Sequence, residues 1–220
     1  MRANPDIVGS YVKDGKREFY SCMRAELDRS GTRLLSVLNT FRFAPHRFVL
    51  VVSTTPEVTQ FAPFELAVQL AGLYGINADD SPFDAGRIEA NSRQFNPVAM
   101  MGVSARTLEG LCMLGHDPEK VFRGRTVWAR PDAYTDVKAM EEVDARRVVL
   151  LGPTMAIECA HGGLHIDSRE WAPEEKGGSI QLTSRQIRYE PLRDFDTGVT
   201  GTLQQSPCAC GSADVCLNIA

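Results

Sequence analysis

The chain has 220 residues and a mass of 24.2 kDa, with 43% hydrophobic and 24% charged side chains, the usage of one globular domain or of a domain with a small appendage. A net charge of −4 and a pI of about 5.6 leave no basic face for nucleic acid, and no run approaches the ~18 apolar residues of a membrane helix. A chain of this length buries roughly 70% of its unfolded surface, so it needs no disulfide scaffold.

The first 15 residues are polar and carry Pro5, Gly9 and Gly15. They read as an arm or an edge strand and lack the apolar run of a secretory signal. From Arg17 to Phe41, apolar residues recur at helical spacing: Phe19, Tyr20, Met23 and Leu27, then Leu34, Leu35, Leu38 and Phe41. "DRSG" at 28–31 interrupts them, and Gly31 suits a C-cap, so two helices or one kinked helix are expected. "RFVLVVS" (47–53) reads as a strand buried on both faces. Thr55 and Pro56 open a helix that Pro63 restarts and Gly75 ends. The Asp-, Ser- and Asn-rich stretch 77–97 reads as a long loop. A helix over 104–115, a short turn from Asp117, a strand at 125–129, a helix over 130–144 and a strand at 146–152 follow, the last three forming a βαβ unit.

Beyond Gly152 the pattern changes. "TMAIECAHGGLHIDSREW" reads as two strands joined at His161-Gly162-Gly163, "SIQLTSRQIRYEPL" alternates with period two, and "TGVTGTL" is one more strand. The expected fold is α+β, or an irregular α/β. Residues 1–152 form a helix-rich part with a few buried strands, 153–205 a part rich in antiparallel hairpins, and 206–220 a cysteine-rich tail, the first two within one globular domain.

Two places invite chemistry. "CACGSADVC" (208–216) holds three of the six cysteines. Thiolates at Cys208, Cys210 and Cys216 suit zinc, another soft metal or an iron–sulfur centre, but three do not complete a tetrahedral set. A fourth ligand must come from the body of the protein, and His165 is assigned to it, with His161, Cys159 and Asp214 as other donors within the sequence. A strained Cys208–Cys210 disulfide or idle thiols are the competing readings. "ECAHGGLHID" (158–167) places Cys159 with His161, and His165 with Asp167, on shared strand faces if the Gly-Gly turn closes a hairpin. These four are the expected catalytic group, as metal ligands or as a Cys–His nucleophile pair.

Arg123 and Arg125 beside Gly124, with Thr55 at a helix start, are the expected contacts to an anionic substrate, although surface pairing with Asp132 and Asp136 is the plainer reading of the arginines. Ser53–Thr55 and Gly152–Thr154 should line one edge if their strands are neighbours. No G-x-G-x-x-G, P-loop, H-E-x-x-H or G-x-S-x-G is present. Isolated cysteines at 22, 112 and 159 suit a reducing cytoplasm. The sequence favours a cytoplasmic, metal-dependent enzyme of hydrolase or lyase type acting on a small anionic substrate, without nucleic acid or membrane as partner and compatible with a homodimer. The alternative is a non-catalytic binding or assembly module whose tail binds metal, docks a partner protein or is modified by one.

Overall fold

A computed structural model describes residues 4–13, 15–205 and 207–219; residues 1–3 and 14 of the expected arm and residues 206 and 220 of the expected tail lie outside them. The chain starts as a hairpin, with β1 (Ile7–Lys13) antiparallel to β2 (Lys16–Cys22). This corrects the helical reading of residues 17–22. Tyr20 and Cys22 are buried at period two while Phe19 stays 68% exposed, a strand's alternation. α1 (Arg24–Leu38) then runs through "DRSG" unbroken. Gly31 is buried where the helix meets its neighbour: a Cβ there would lie 2.8 Å from the Leu66 side chain and 3.0 Å from the Pro63 carbonyl oxygen. The glycine serves close helix packing and ends nothing.

A parallel unit follows: β3 (Phe48–Val52), α2 (Val58–Leu70), β4 (Tyr74–Ala78), α3 (Ala85–Phe95), β5 (Ala99–Val103), α4 (Ala105–Met113), α5 (Pro118–Phe122), β6 (Thr126–Ala129), α6 (Pro131–Lys138) and β7 (Asp144–Leu151). Helices on both faces bury the strands, so the apolar runs need no alternation. The expected loop at 77–97 is instead the end of β4, a short 3₁₀ turn and α3. Only Ala85, Ile88 and Ser92 of α3 are buried, so its apolar stripe is too thin to register as a helical pattern. The helix before it ends at Leu70, and Gly75 lies inside β4.

The remaining strands are β8 (Thr154–Glu158), β9 (Leu164–Ile166), β10 (Trp171–Lys176), β11 (Ser179–Ser184), β12 (Phe195–Thr200), β13 (Thr202–Gln204) and β14 (Cys216–Asn218). A nine-stranded sheet runs β13-β14-β9-β8-β7-β6-β5-β3-β4, and β10-β11-β12 form a second, three-stranded sheet. The fold is mixed α/β, with hairpins gathered in the C-terminal part and the expected βαβ unit at β6–α6–β7. No helix among the described residues is long and apolar enough to cross a membrane.

β5 carries an irregularity at Gly102. The register with β6 shifts between Met101 and Val103, and Gly102 sits at φ +91°. A Cβ there would press against the Val52 carbonyl oxygen and stand 2.8 Å from the Phe61 ring. Gly102→Ala is therefore expected to lose at least about 1–3 kcal/mol of stability, from backbone strain before any overlap is counted. Urea unfolding that left the midpoint unchanged would contradict this.

Candidate metal centre

β8 and β9 pair through Ile157↔His165 and Glu158↔Leu164, so the expected hairpin forms. Residues 159–163 make its turn, closed by Cys159 N–H to the Gly163 carbonyl (2.9 Å) and Gly162 N–H to the Cys159 carbonyl (3.0 Å). The strand ends at Glu158, so strand alternation does not govern Cys159 and His161, and they share no face. Cys159 is fully buried and His161 is exposed. The turn is anchored from outside. Trp128 Nε1 donates to the Glu158 carbonyl (2.8 Å), Arg147 Nε to the Glu158 carboxylate (2.6 Å), and Ala160 N–H to Thr40 Oγ1 (3.0 Å).

The tail folds back onto this turn. β14 pairs with β9 at Cys216↔His165, and Ile166 N–H donates to the Val215 carbonyl (3.0 Å). Arg33 on α1 holds the segment by an ion pair to Asp214 and a hydrogen bond to Ser212 Oγ (2.6 Å). A second tight turn, Gly211 N–H to the Cys208 carbonyl (2.9 Å), presents Cys208 and Cys210 to the first.

The ligand atoms of Cys159, His165, Cys208 and Cys210 lie within 4.8 Å of one another. Cys159 Sγ is 3.7 Å from Cys208 Sγ, and Cys210 Sγ is 3.3 Å from His165 Nε2. A tetrahedron with the usual Zn–S and Zn–N bond lengths has edges of about 3.8 Å between sulfurs and about 3.6 Å from sulfur to nitrogen, and these two separations are close to such edges. Gly163 leaves the room: a Cβ there would lie 2.7 Å from Cys208 Sγ and 2.9 Å from His165 Nε2. The His165 ring is oriented from behind by a hydrogen bond to the Asp214 backbone, which directs Nε2 toward the thiols. Burial lowers the imidazole's pKa and favours the neutral, ligating form.

The thiols are held unequally. Burial pushes Cys210 up to about 12 and Cys216 up to about 11. Burial also opposes a thiolate at Cys208, but hydrogen bonds from the Cys210 and Gly163 backbone and from the Cys210 and Cys159 thiols outweigh it and lower its pKa. A cation bound by these thiols would displace their protons, so its affinity would rise with pH.

Cys216 stands aside from the four. Its Sγ faces the other ring nitrogen of His165, Nδ1, at 3.6 Å. The four mutually close donors include Cys159 and leave out Cys216, whose thiol stands at the other ring nitrogen. His161 lines an open hollow with Thr40 and Cys210. Asp167 Oδ1 accepts the backbone N–H groups of Arg169 (3.1 Å) and Glu170 (3.3 Å) in a turn.

A second polar site lies at the carboxyl ends of the parallel strands. β3 sits between β4 and β5, so successive connections leave it in opposite directions and open a crevice there. Arg130, after β6, forms a two-pronged ion pair with Glu57 (2.7 and 2.8 Å) and donates to the Gly102 carbonyl (3.0 Å). Asp80, after β4, accepts from Ser104 Oγ (2.5 Å) and Thr107 Oγ1 (3.1 Å). The crevice has a volume of about 310 Å³, and Arg17, Arg106, Tyr11 and Thr197 add to its lining.

Solved structures share this architecture. The chain is similar to 2-hydroxyisobutyryl-CoA ligase in an open conformation with 2-HIB-AMP and CoA, at TM-score 0.75 and 11% identity over 98% of this chain and 56% of that one. It is likewise similar to that ligase in the postadenylation state with R3-HIB-AMP, at TM-score 0.75, 11% identity and 98% and 51% coverage. The likeness is one of fold. The chain spans about half the length of these structures. No protein-family model matches the chain, and no curated protein matches it.

The other expected substrate contacts lie apart from both sites. Arg123 is exposed and pairs with Glu119 one helical turn away (3.4 Å). Arg125 is spent on the backbone, donating to the carbonyls of Pro97, Val121, Arg123 and Ser92 and to Asn96 Oδ1. Thr55 lines an open hollow of about 620 Å³ beside the crevice. β5 and β6 separate β3 from β7, so Ser53–Thr55 and Gly152–Thr154 are not on adjacent strands. They still meet one crevice: Thr54 and Gly152 both line it, and Gln60 Nε2 bonds the Gly152 carbonyl (2.8 Å). Asp80 went unmarked in the sequence, and Ser104 was legible only as the start of the helix over 104–115.

Burial opposes the charge on Glu57, but hydrogen bonds and charge from Arg130, with Thr54 behind it, prevail and hold its carboxyl below the ordinary 4.5. A lowered folded-state value stabilises the protein above pH 4.5 and ceases to do so as pH falls through the folded value. Glu57→Gln is expected to lose about 3–5 kcal/mol at neutral pH, because it strips Arg130 of its principal partner. The gap to the wild type should narrow in acid, as chemical denaturation across a pH series will show.

Proposed function

We propose that the chain is a small-molecule enzyme, or part of one, whose Cys159–His165–Cys208–Cys210 group binds one zinc ion as a structural clasp. The observation that carries the metal is the convergence of four donors within 4.8 Å, from two segments far apart in sequence. Four protein donors leave a tetrahedral ion no open position, so the ion holds the tail to the β8–β9 turn and activates no water. Cys159 and His165 are then ligands, and a hydrolase or lyase reaction on metal-bound water at this centre is disfavoured.

The ligand belongs in the crevice at the strand ends, where open α/β sheets take their ligands. Arg17 and Arg106 offer guanidinium groups to an anionic compound beside the carboxylates of Asp80 and Asp132, and Tyr11 gives the crevice an aromatic face. Shared fold with a ligase bound to an acyl-adenylate and CoA supports an adenylate-bearing or thioester-forming substrate class. The binding-module alternative differs only in the absence of turnover.

Elemental analysis of protein purified under reducing conditions without chelator should find one zinc per chain. Cys159→Ser, Cys208→Ser, Cys210→Ser and His165→Gln should each lose it, while Cys216→Ser keeps it. Metal-free protein with reduced thiols would overturn the centre. Removing the ion with a chelator should lower Tm, since the clasp contributes folding free energy. Calorimetric titration with AMP and with CoA tests the crevice: Arg106→Ala should weaken binding with zinc content intact, and no binding of either compound would overturn the assignment.

A further inference from the structure

Behind the candidate metal centre, between α1, the β1–β2 hairpin and the start of β10, lies a small cavity of about 30 Å³. Tyr20, Trp171, Arg188 and Asp167 all line it. Each carries a polar atom shut off from solvent that meets no partner at full hydrogen-bond geometry among the described residues, Tyr20 Oη, Trp171 Nε1, Arg188 Nε and Asp167 Oδ2, although the Tyr20 hydroxyl lies near enough to the Arg188 guanidinium to interact with it. The rest of each polar group is engaged. Arg188 gives Nη1 to Glu26 (3.0 Å) and Nη2 to Glu170 (2.6 Å), with its guanidinium stacked 4.0 Å over the Trp171 ring. Asp167 uses Oδ1 on the Arg169 and Glu170 backbone.

Leaving a buried polar atom unpaired costs about 1–3 kcal/mol, so four around one cavity demand an occupant. The volume exceeds the roughly 10–15 Å³ that one water needs. The chemistry matches as well. Trp171 Nε1–H and Arg188 Nε–H only donate, Asp167 Oδ2 accepts when ionised, and the Tyr20 hydroxyl does either. A water accepts two hydrogen bonds and donates two. A bare anion would face the Asp167 carboxylate, and a bare cation would face Arg188. We propose that the cavity is an internal hydration site whose one or two ordered waters join Tyr20 of the hairpin to Asp167, Trp171 and Arg188. His165 and Asp214 line the same cavity, so the site backs directly onto the ligand side chain of the metal centre.

A high-resolution crystal structure of the intact chain should show full-occupancy water within hydrogen-bond distance of Trp171 Nε1 and Asp167 Oδ2. An empty cavity, a chloride or other ion there, or direct pairing of the four atoms with one another would overturn the proposal. In solution, the Trp171 indole proton should show a cross-peak to water with the sign of a long-lived neighbour. The cross-peak should persist in Tyr20→Phe, which removes the one hydroxyl able to relay it. Its absence from the wild type, or its loss in that variant, would overturn the site.

Discussion

β7 bonds in parallel to β6 from Thr126↔Asp144 to Ala129↔Arg147, and in antiparallel to β8 from Val148↔Ile157 to Leu151↔Thr154. The first half of the strand completes a helix-covered parallel sheet, and the second half starts the hairpins. Gly152 makes the reversal possible at φ +67°, with the Phe195 ring packed where a side chain would stand. Both sites depend on this strand. The crevice opens at the carboxyl ends of β3 to β6, and the turn that carries Cys159 is fixed to β7 through Arg147 and Glu158.

An ion held by the Cys/His group would close a loop of considerable length, with 49 positions separating Cys159 from Cys208. Cross-linking a chain at that separation removes on the order of 4 kcal/mol of unfolded-state entropy. β14 pairs with β9 at a single register position and with β13 at three, too little to hold the tail by strand pairing alone. The Arg33–Asp214 pair supplies a second attachment, from α1. The tail is thereby tied to the helical layer and the sheet at once.

What the sequence disclosed follows from the range of the signal. "RFVLVVS" and "RRVVLLG" are dense enough in apolar residues to mark buried strands unaided, and His161-Gly162-Gly163 marks a turn by local backbone chemistry. β2 was hidden because Phe19, Tyr20, Met23 and Leu27 fit a helical period that tertiary alternation overrides. α3 was hidden because only one narrow stripe of it is buried. At the centre, the thiols and His165 were visible, as was the need for a donor outside the tail. That Cys159 lies among the four close donors while Cys216 stands at Nδ1 of His165 depends on how the turn after β8 and the tail fold against each other, which composition does not fix. Asp80 and Ser104 are single polar residues that meet only once β4 and β5 flank β3 and bring their carboxyl ends together.

Gly163 donates no electrons to the centre and would be overlooked in any inventory of ligands. Its contribution is a missing carbon, since one methyl group at that position would occupy the volume between Cys208 Sγ and His165 Nε2. A relative that kept all four donors and replaced this glycine would have the full set of coordinating atoms and nowhere to seat an ion. The room that the proposed centre needs is set here by an excluded volume, which a count of cysteines and histidines alone does not register.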